Sequence, residues 1–279
     1  MNCQSKMESH LVLCLGMSRA GSTLQYNLAR TLVERLKAGS GLGFSLEEGE
    51  LRRRVESIQD QHIVGVLKTY NRDLNWVSGW RGRVSILFIY RDLRDVYSSQ
   101  KKKGRANLDD SNLEDFITRT NSDLDVIEKL RTTHRMLSQK YEEVFLDLGT
   151  AARQIADFLG LQANEDDVAV TRQLNTVDAA LAEIGRAFSV RQRLVCHINR
   201  FLRKQHQSGR AVASALGLKS VVRMMIPSND IVSGGFMLHP DHISISRGQP
   251  GKWKEELPEC VAGRIAECFE KWLEEHGYT

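Results

Sequence analysis

Five cysteines, at 3, 14, 196, 260 and 268, form no C-x-x-C pair in this 279-residue chain, and an odd number cannot be fully bridged within it. Reduced thiols in a reducing compartment are the simplest reading, so a cytoplasmic location is expected. Long apolar runs are also missing. The first, Leu11 to Leu15, is too short for a secretory or membrane-spanning segment and suits a buried strand. Charge of one sign is not in excess: 39 Lys and Arg against 35 Asp and Glu leave +4, spread along the chain, which disfavours a general nucleic-acid binder. No repeat, low-complexity tract or clear linker divides the sequence. With 41% hydrophobic residues, positions 1–279 are read as one domain with a substantial core. Metal-ligand spacing is absent too, because His239 and His242 around Pro240-Asp241 read better as part of a loop than as a ligand pair.

What is present alternates. After the strand Leu11–Leu15, Gly16 to Gly21 reads as a turn, and Leu24, Leu28, Leu32 and Leu36 mark a helix. Gly39, Gly41 and Gly43 break that helix and open a loop carrying Glu47, Glu48 and Glu50. His62–Thr69 and Val84–Tyr90 are continuous apolar runs of the kind found in parallel sheets covered on both faces. A helix follows to about Lys103, then an amphipathic helical stretch over 113–137, a short segment at Tyr141–Leu146 and a helix over 150–160. Strand and helix in alternation predict an α/β fold, a three-layer, doubly wound parallel sheet, with a mainly helical C-terminal portion. Residues 165–240 are expected to form a helical cap, and Pro258 to open the last helix.

Gly16-Met-Ser-Arg-Ala-Gly-Ser-Thr23 fits G-x4-G-S-T, one position from a Walker A loop, with Ser22 where the triphosphate motif needs Lys. A glycine loop between strand and helix aims backbone N–H groups at one anion, and Arg19 can supply the charge that the missing Lys would have given. The segment resembles the 5′-phosphosulfate-binding loop of the sulfotransferases that use 3′-phosphoadenosine-5′-phosphosulfate (PAPS), whose fold is similar to that of P-loop NTPases. That resemblance implies Arg19, Ala20, Gly21, Ser22 and Thr23 as ligands of the 5′-phosphosulfate.

Further landmarks follow in the family's order. Arg91-Asp-Leu-Arg-Asp-Val-Tyr-Ser-Ser99 sets Arg at a strand end and Ser about two helical turns later. It resembles the family's 3′-phosphate motif, which implies Arg91 and Ser99 as ligands, a role suited to a forked guanidinium and a hydroxyl. Val66-Leu-Lys-Thr-Tyr70 resembles the K-T-H segment, in which Lys meets the transferring group and His is the base. Lys68 matches and Tyr70 does not. An unperturbed phenol, with its pKa near 10, is a poor base at neutral pH. Branches with Arg in the phosphate loop often place a Glu base after the first helix, which makes Glu48, then Glu47, the other candidates. Tyr141-Glu142 is similar to the pair whose Tyr lies by the adenine. Ser246-Arg-Gly-Gln-Pro-Gly-Lys-Trp-Lys254 resembles R-K-G-x-x-G-D-W-K, which implies Arg247 and Gly248 at the 3′-phosphate.

The resemblance spans positions 16 to 254. It implies transfer of a sulfuryl group from PAPS to a hydroxyl or amine by in-line displacement, with the 3′,5′-bisphosphate (PAP) as product and no metal. The acceptor is left open among small molecules, carbohydrates and peptides. Lys101-Lys102-Lys103 could steer an anionic one, or be a solvated helix end. Two other readings stand beside this one: a P-loop kinase or ATPase, and a non-catalytic protein that binds PAPS or PAP, motivated by Tyr70 at the usual base position.

Overall fold

The structure, a computed structural model, describes residues 8–102, 110–187 and 248–278. The described chain forms two compact units, one running to Arg91 and resuming over Asn121–Thr176, the other covering Asp92–Thr120 and the chain from Val177 onward.

The first unit contains a five-stranded, wholly parallel sheet in the order β2-β3-β1-β4-β5. Its strands are β1 (His10–Cys14), β2 (Gly39–Phe44), β3 (Val64–Lys68), β4 (Arg83–Tyr90) and β5 (Arg135–Lys140). Every residue of β1 and β3 is buried, as unbroken apolar runs require when both sheet faces are covered. Leu13 of β1 pairs with Leu67 on one side and Ile86 on the other, so β1 is the centre from which the order runs outward both ways. Ligands of open α/β sheets bind beyond the carboxyl ends of strands at such a switch point. The glycine loop leaves β1 there.

Helices α1 (Ser22–Arg35) and α2 (Glu48–Glu56) follow β1 and β2. Along α1, Leu28, Leu32 and their neighbours are buried against the sheet. Further along come α3 (Leu93–Lys102), α4 (Asp110–Thr133), α5 (Tyr141–Leu146), α6 (Leu148–Leu159), α7 (Glu165–Leu174) and α8 (Val177–Ala187). The C-terminal segment adds α9 (Trp253–Glu256), α10 (Glu259–Cys268) and α11 (Glu270–Glu275), with Pro258 at the N-cap of α10 as its sequence position predicts. In the second unit Tyr97, Phe116 and Phe269 form an aromatic cluster, with ring centroids 5.0 and 6.5 Å apart. No described helix is long and apolar enough to cross a membrane.

The sequence reading is corrected at both sheet edges. The glycine segment after α1 is strand β2 rather than a loop, and Glu48 and Glu50 lie on a helix rather than in that loop. Glycine is needed for close approach: a Cβ on Gly39 would sit 1.8 Å from the Val64 carbonyl oxygen. The glutamate and tyrosine side chains of α1 take part in the same edge, where the Gly41 N–H donates to Glu34 (3.1 Å) and the Gly43 N–H to Tyr26 Oη (3.0 Å). The other edge strand, β5, reads Arg-Met-Leu-Ser-Gln-Lys and lacks an apolar run, so in place of a helical stretch over 113–137 the helix ends at Thr133 and a strand begins at Arg135.

A buried titratable group sits in the sheet. His10 Nε2 is 2.9 Å from Ser85 Oγ, and burial first, then Arg83 and Arg135, pushes the imidazole down to about 4. Depression of a histidine pKa favours the neutral ring, so the stability it supports is full above the unfolded value near 6.5. It is lost as pH falls from there toward 4, by on the order of 3 kcal/mol. Urea unfolding at pH 7.5 and 4.5 should show a wider stability gap for the wild-type protein than for His10→Asn, which does not titrate in this range.

Candidate active site

At the carboxyl end of β1 the chain stays paired with β4 for two more bonds, Leu15 N–H to Leu87 O and Met17 N–H to Ile89 O, both 3.0 Å. It then turns sharply, with Ala20 N–H donating to Met17 O (3.1 Å). Arg19 and Gly21 both have left-handed backbones, with φ of 67° and 91°. A left-handed non-glycine residue costs of order 1 kcal/mol or more, a strain often found at binding sites. Gly21 is also squeezed, since a Cβ there would lie 2.5 Å from the Tyr141 ring.

Gly21 caps α1 without a side chain, and the first turn of α1 holds no acidic residue. The N–H groups of the first helical turn have no intrahelical acceptor, and the helix dipole puts partial positive charge where they point. A strained turn bearing Arg19 and an open helix start is a cradle for an anion. Ser22, at the position of the Walker lysine, turns its hydroxyl to a different partner.

That partner is Tyr70, whose Oη lies 3.0 Å from Ser22 Oγ and 3.4 Å from Lys68 Nζ. Lys68 ends β3 and is 3% exposed. Its ammonium rests 4.6 Å from the centre of the Phe44 ring and 4.5 Å from that of Tyr70. The two rings meet edge to face at 5.8 Å, and a desolvated cation over two aromatic faces is held by their quadrupoles. Burial pushes the Tyr70 phenol up, but Lys68, the Ser22 hydroxyl and Arg19 outweigh it, leaving the group below its ordinary value. Cys14, at the end of β1, behaves oppositely: full burial pushes its thiol up to about 12, so it is no nucleophile. Arg72 sits two residues beyond Tyr70, nearly buried and paired with Asp123. Burial lowers its pKa, and the neighbouring Tyr70 works against that.

Glu47 precedes α2 as its N-cap and Glu48 opens it. Both are exposed, and Glu48 accepts from Arg52 at 2.8 Å. Glu50 accepts from Ser45 Oγ at 2.6 Å and from Arg54, contacts that hold its carboxyl below the usual range. The guanidinium of Arg91, just past β4, lies 4.5 Å over the Tyr141 ring that packs on Gly21. Arg19, Ala20, Gly21, Ser22, Thr23, Lys68, Tyr70, Arg91 and Tyr141 therefore belong to one unit, on its loops, strand ends and helix starts. In the second unit Ser99 lies on α3, and Gly248, with φ of 81°, starts the turn before α9. Arg247, His239 and His242 lie outside the described residues. Among those described, no group of three or more His, Cys, Asp or Glu is placed to hold a metal ion.

Three residues escaped the sequence reading: Phe44, Arg72 and Asp95. Phe44 belongs to the glycine-rich strand that was not recognised, and Arg72 differs from any surface arginine only through its burial. Asp95 accepts from the Gly251 and Trp253 amides, 156 and 158 residues away in sequence.

Absorbance titration near 295 nm should show, in the difference between wild type and Tyr70→Phe, a phenol ionising below the ordinary value near 10. In Lys68→Met burial is left weakly opposed, and the same transition should move upward.

A sulfotransferase-domain family model matches residues 11–180. No curated protein sequence matches the chain. Among solved structures, a mouse sulfotransferase complexed with PAP aligns with a TM-score of 0.55 and 13% identity, over 96% of this chain and 85% of that one. Retinol dehydratase with androsterone and the inactive cofactor PAP aligns with a TM-score of 0.50 and 14% identity, over 95% and 80%. The same enzyme with retinol and PAP gives 0.50 and 15%, over 95% and 81%.

Proposed function

From the premise that this chain belongs to the sulfotransferase family, we propose how its residues divide the work of moving a sulfuryl group from PAPS to an acceptor. It is a PAPS-dependent sulfotransferase that releases PAP. The single observation that carries the division of roles is the connected row of Arg19, the start of α1, Ser22, Tyr70 and Lys68 around one anion cradle.

The transfer is an in-line displacement. A bond forms from the acceptor oxygen or nitrogen to sulfur while the bond from sulfur to the bridging oxygen breaks, and its electron pair leaves on the 5′-phosphate of PAP. Charge develops on that bridging oxygen. Arg19, Lys68 and the N–H groups at the start of α1 are already oriented to meet it, which is how preorganised dipoles lower a barrier. The acceptor proton goes to Tyr70 in its phenolate form, which Lys68, the Ser22 hydroxyl and Arg19 stabilise and which becomes the neutral phenol. What supports Tyr70 over Glu48 is environment: the phenol is buried between a cation and a hydroxyl and its pKa is lowered, whereas Glu48 is 56% exposed and committed to Arg52. Tyr141 is proposed at the adenine. Arg91, Ser99, Arg247 and Gly248 are proposed at the 3′-phosphate on motif resemblance.

A single domain over 1–279 is proposed, supported by a family match that runs without interruption through residues of both compact units. Residues 165–240 are proposed to shape the acceptor site. A small molecule bearing a hydroxyl is the favoured acceptor, by analogy with the androsterone and retinol in the similar enzyme. Free thiols at Cys14, Cys260 and Cys268 support a cytoplasmic location.

Calorimetry should show PAP binding without magnesium, far tighter than 5′-AMP; equal affinities would remove the PAPS reading. Arg19→Ala should cut turnover by roughly 10²–10³ or more without unfolding the protein. Tyr70→Phe should lower kcat by roughly 10²–10⁴ while PAP affinity stays within a few-fold, and unchanged kcat would return the proton to a carboxylate.

A further inference from the structure

The two stretches of the second unit assigned to the 3′-phosphate, at Ser99 and at 247–248, are about 150 residues apart in sequence, and α3 is the element that connects them. Asp95 is 2% exposed. One of its carboxylate oxygens accepts the Gly251 N–H at 2.6 Å and the other the Trp253 N–H at 2.9 Å. Ser98 donates to Glu256 of α9. Arg94 forks onto Asp92 at 2.8 and 2.9 Å, lies 4.1 Å over the Trp253 ring, and donates to the Tyr278 carbonyl at 2.7 Å. Asp95, Ser98 and Ser99 stand at i, i+3 and i+4, on one face of α3. The face that presents Ser99 is therefore also the face that grips the Gly248–Trp253 turn.

A buried carboxylate accepting two backbone N–H groups is a directional anchor, because each bond is charge-assisted. Both anchored amides lie within six residues of Arg247, on the far side of the Gln249-Pro250 pair. Proline fixes one dihedral of that short link, so little slack separates the anchor from Gly248.

We infer that Asp95 is a positioning residue for the 3′-phosphate: it locks the 251–253 turn onto the Ser99 face of α3, so that the two segments assigned to that phosphate act as one. This rests on the PAPS reading above. Asp95 touches the turn, and its effect on the nucleotide passes through that turn.

The test is calorimetry on the full chain with PAP and with 5′-AMP, which differs from PAP only in lacking the 3′-phosphate. The affinity ratio of the two isolates what that phosphate contributes. Asp95→Ala should lower the ratio by roughly 10–100-fold, through weaker PAP binding, with 5′-AMP affinity within about twofold of wild type. Asp95→Asn keeps the volume and one acceptor oxygen but sets its NH₂ against one of the two N–H donors. It should show a smaller loss of the same kind, and it serves where the alanine variant does not fold. A wild-type ratio in Asp95→Asn, or equal losses for both ligands, overturns the inference while leaving the PAPS reading intact. A ratio near one in the wild-type protein itself overturns both.

Discussion

An open helix start at the end of a central, fully buried strand is the constraint on which the rest of this molecule depends. The first-turn amides of α1 have no side-chain cap at Gly21 and no acid beside them. The turn that delivers them holds Arg19 in a left-handed backbone and leaves no room for a Cβ at Gly21 against Tyr141. Strain and uncapped donors both cost stability. An anion placed there satisfies the donors and meets the positive charge of Arg19, so the same features that weaken the free fold strengthen the bound one.

Around that constraint, the sheet order decides which side chains can meet. Because β1 lies between β3 and β4, the residues following those strands, Lys68 with Tyr70 on one side and Arg91 on the other, flank the glycine loop. Phe44, at the end of the next strand out, reaches Lys68 as well. A buried ammonium with two aromatic faces and a phenol for company is poised rather than neutralised, since none of those groups carries a full negative charge while the phenol is protonated. Ionising the phenol changes that balance. In the proposed division of roles that cation meets the transferring group, which links the protonation of Tyr70 to the charge at the leaving group.

The centre of the fold was legible in the sequence and its margins were not. Leu11–Leu15, His62–Thr69 and Val84–Tyr90 read as strands because burial on both faces leaves continuous apolar runs. Gly39–Phe44 did not, because at an edge packed against α1 the need for glycine outweighs the need for apolar side chains, and the pattern then looks like a loop. Arg135–Lys140 failed for the opposite reason, its polar residues suiting a half-solvated edge. In the site, Arg19, Lys68 and Arg91 were recognisable since each follows or ends a strand in a short motif. Tyr70 was visible as a departure from the K-T-H pattern, and Lys68, the largest cause that lowers its pKa, lies two residues away, but the help of Ser22 and Arg19 comes from some 50 residues earlier, and no local pattern encodes that.

Asp95 shows the same limit from another direction. Within Arg91-Asp-Leu-Arg-Asp-Val it reads as one more charged residue at a helix start, where a carboxylate is favoured by the dipole. Its burial reverses that reading, because a carboxylate taken out of water must be matched by donors, and the Gly251 and Trp253 amides supply them. An acid at this position thus does for the C-terminal turn what the open start of α1 does for an anion: each is a buried charge or dipole awaiting a particular partner. In one case the partner is the protein's own backbone, which holds a turn in place; in the other, in the proposed division of roles, it is the donor nucleotide, which comes and goes. A transferase that must hold a bisphosphate firmly and then release it needs both kinds.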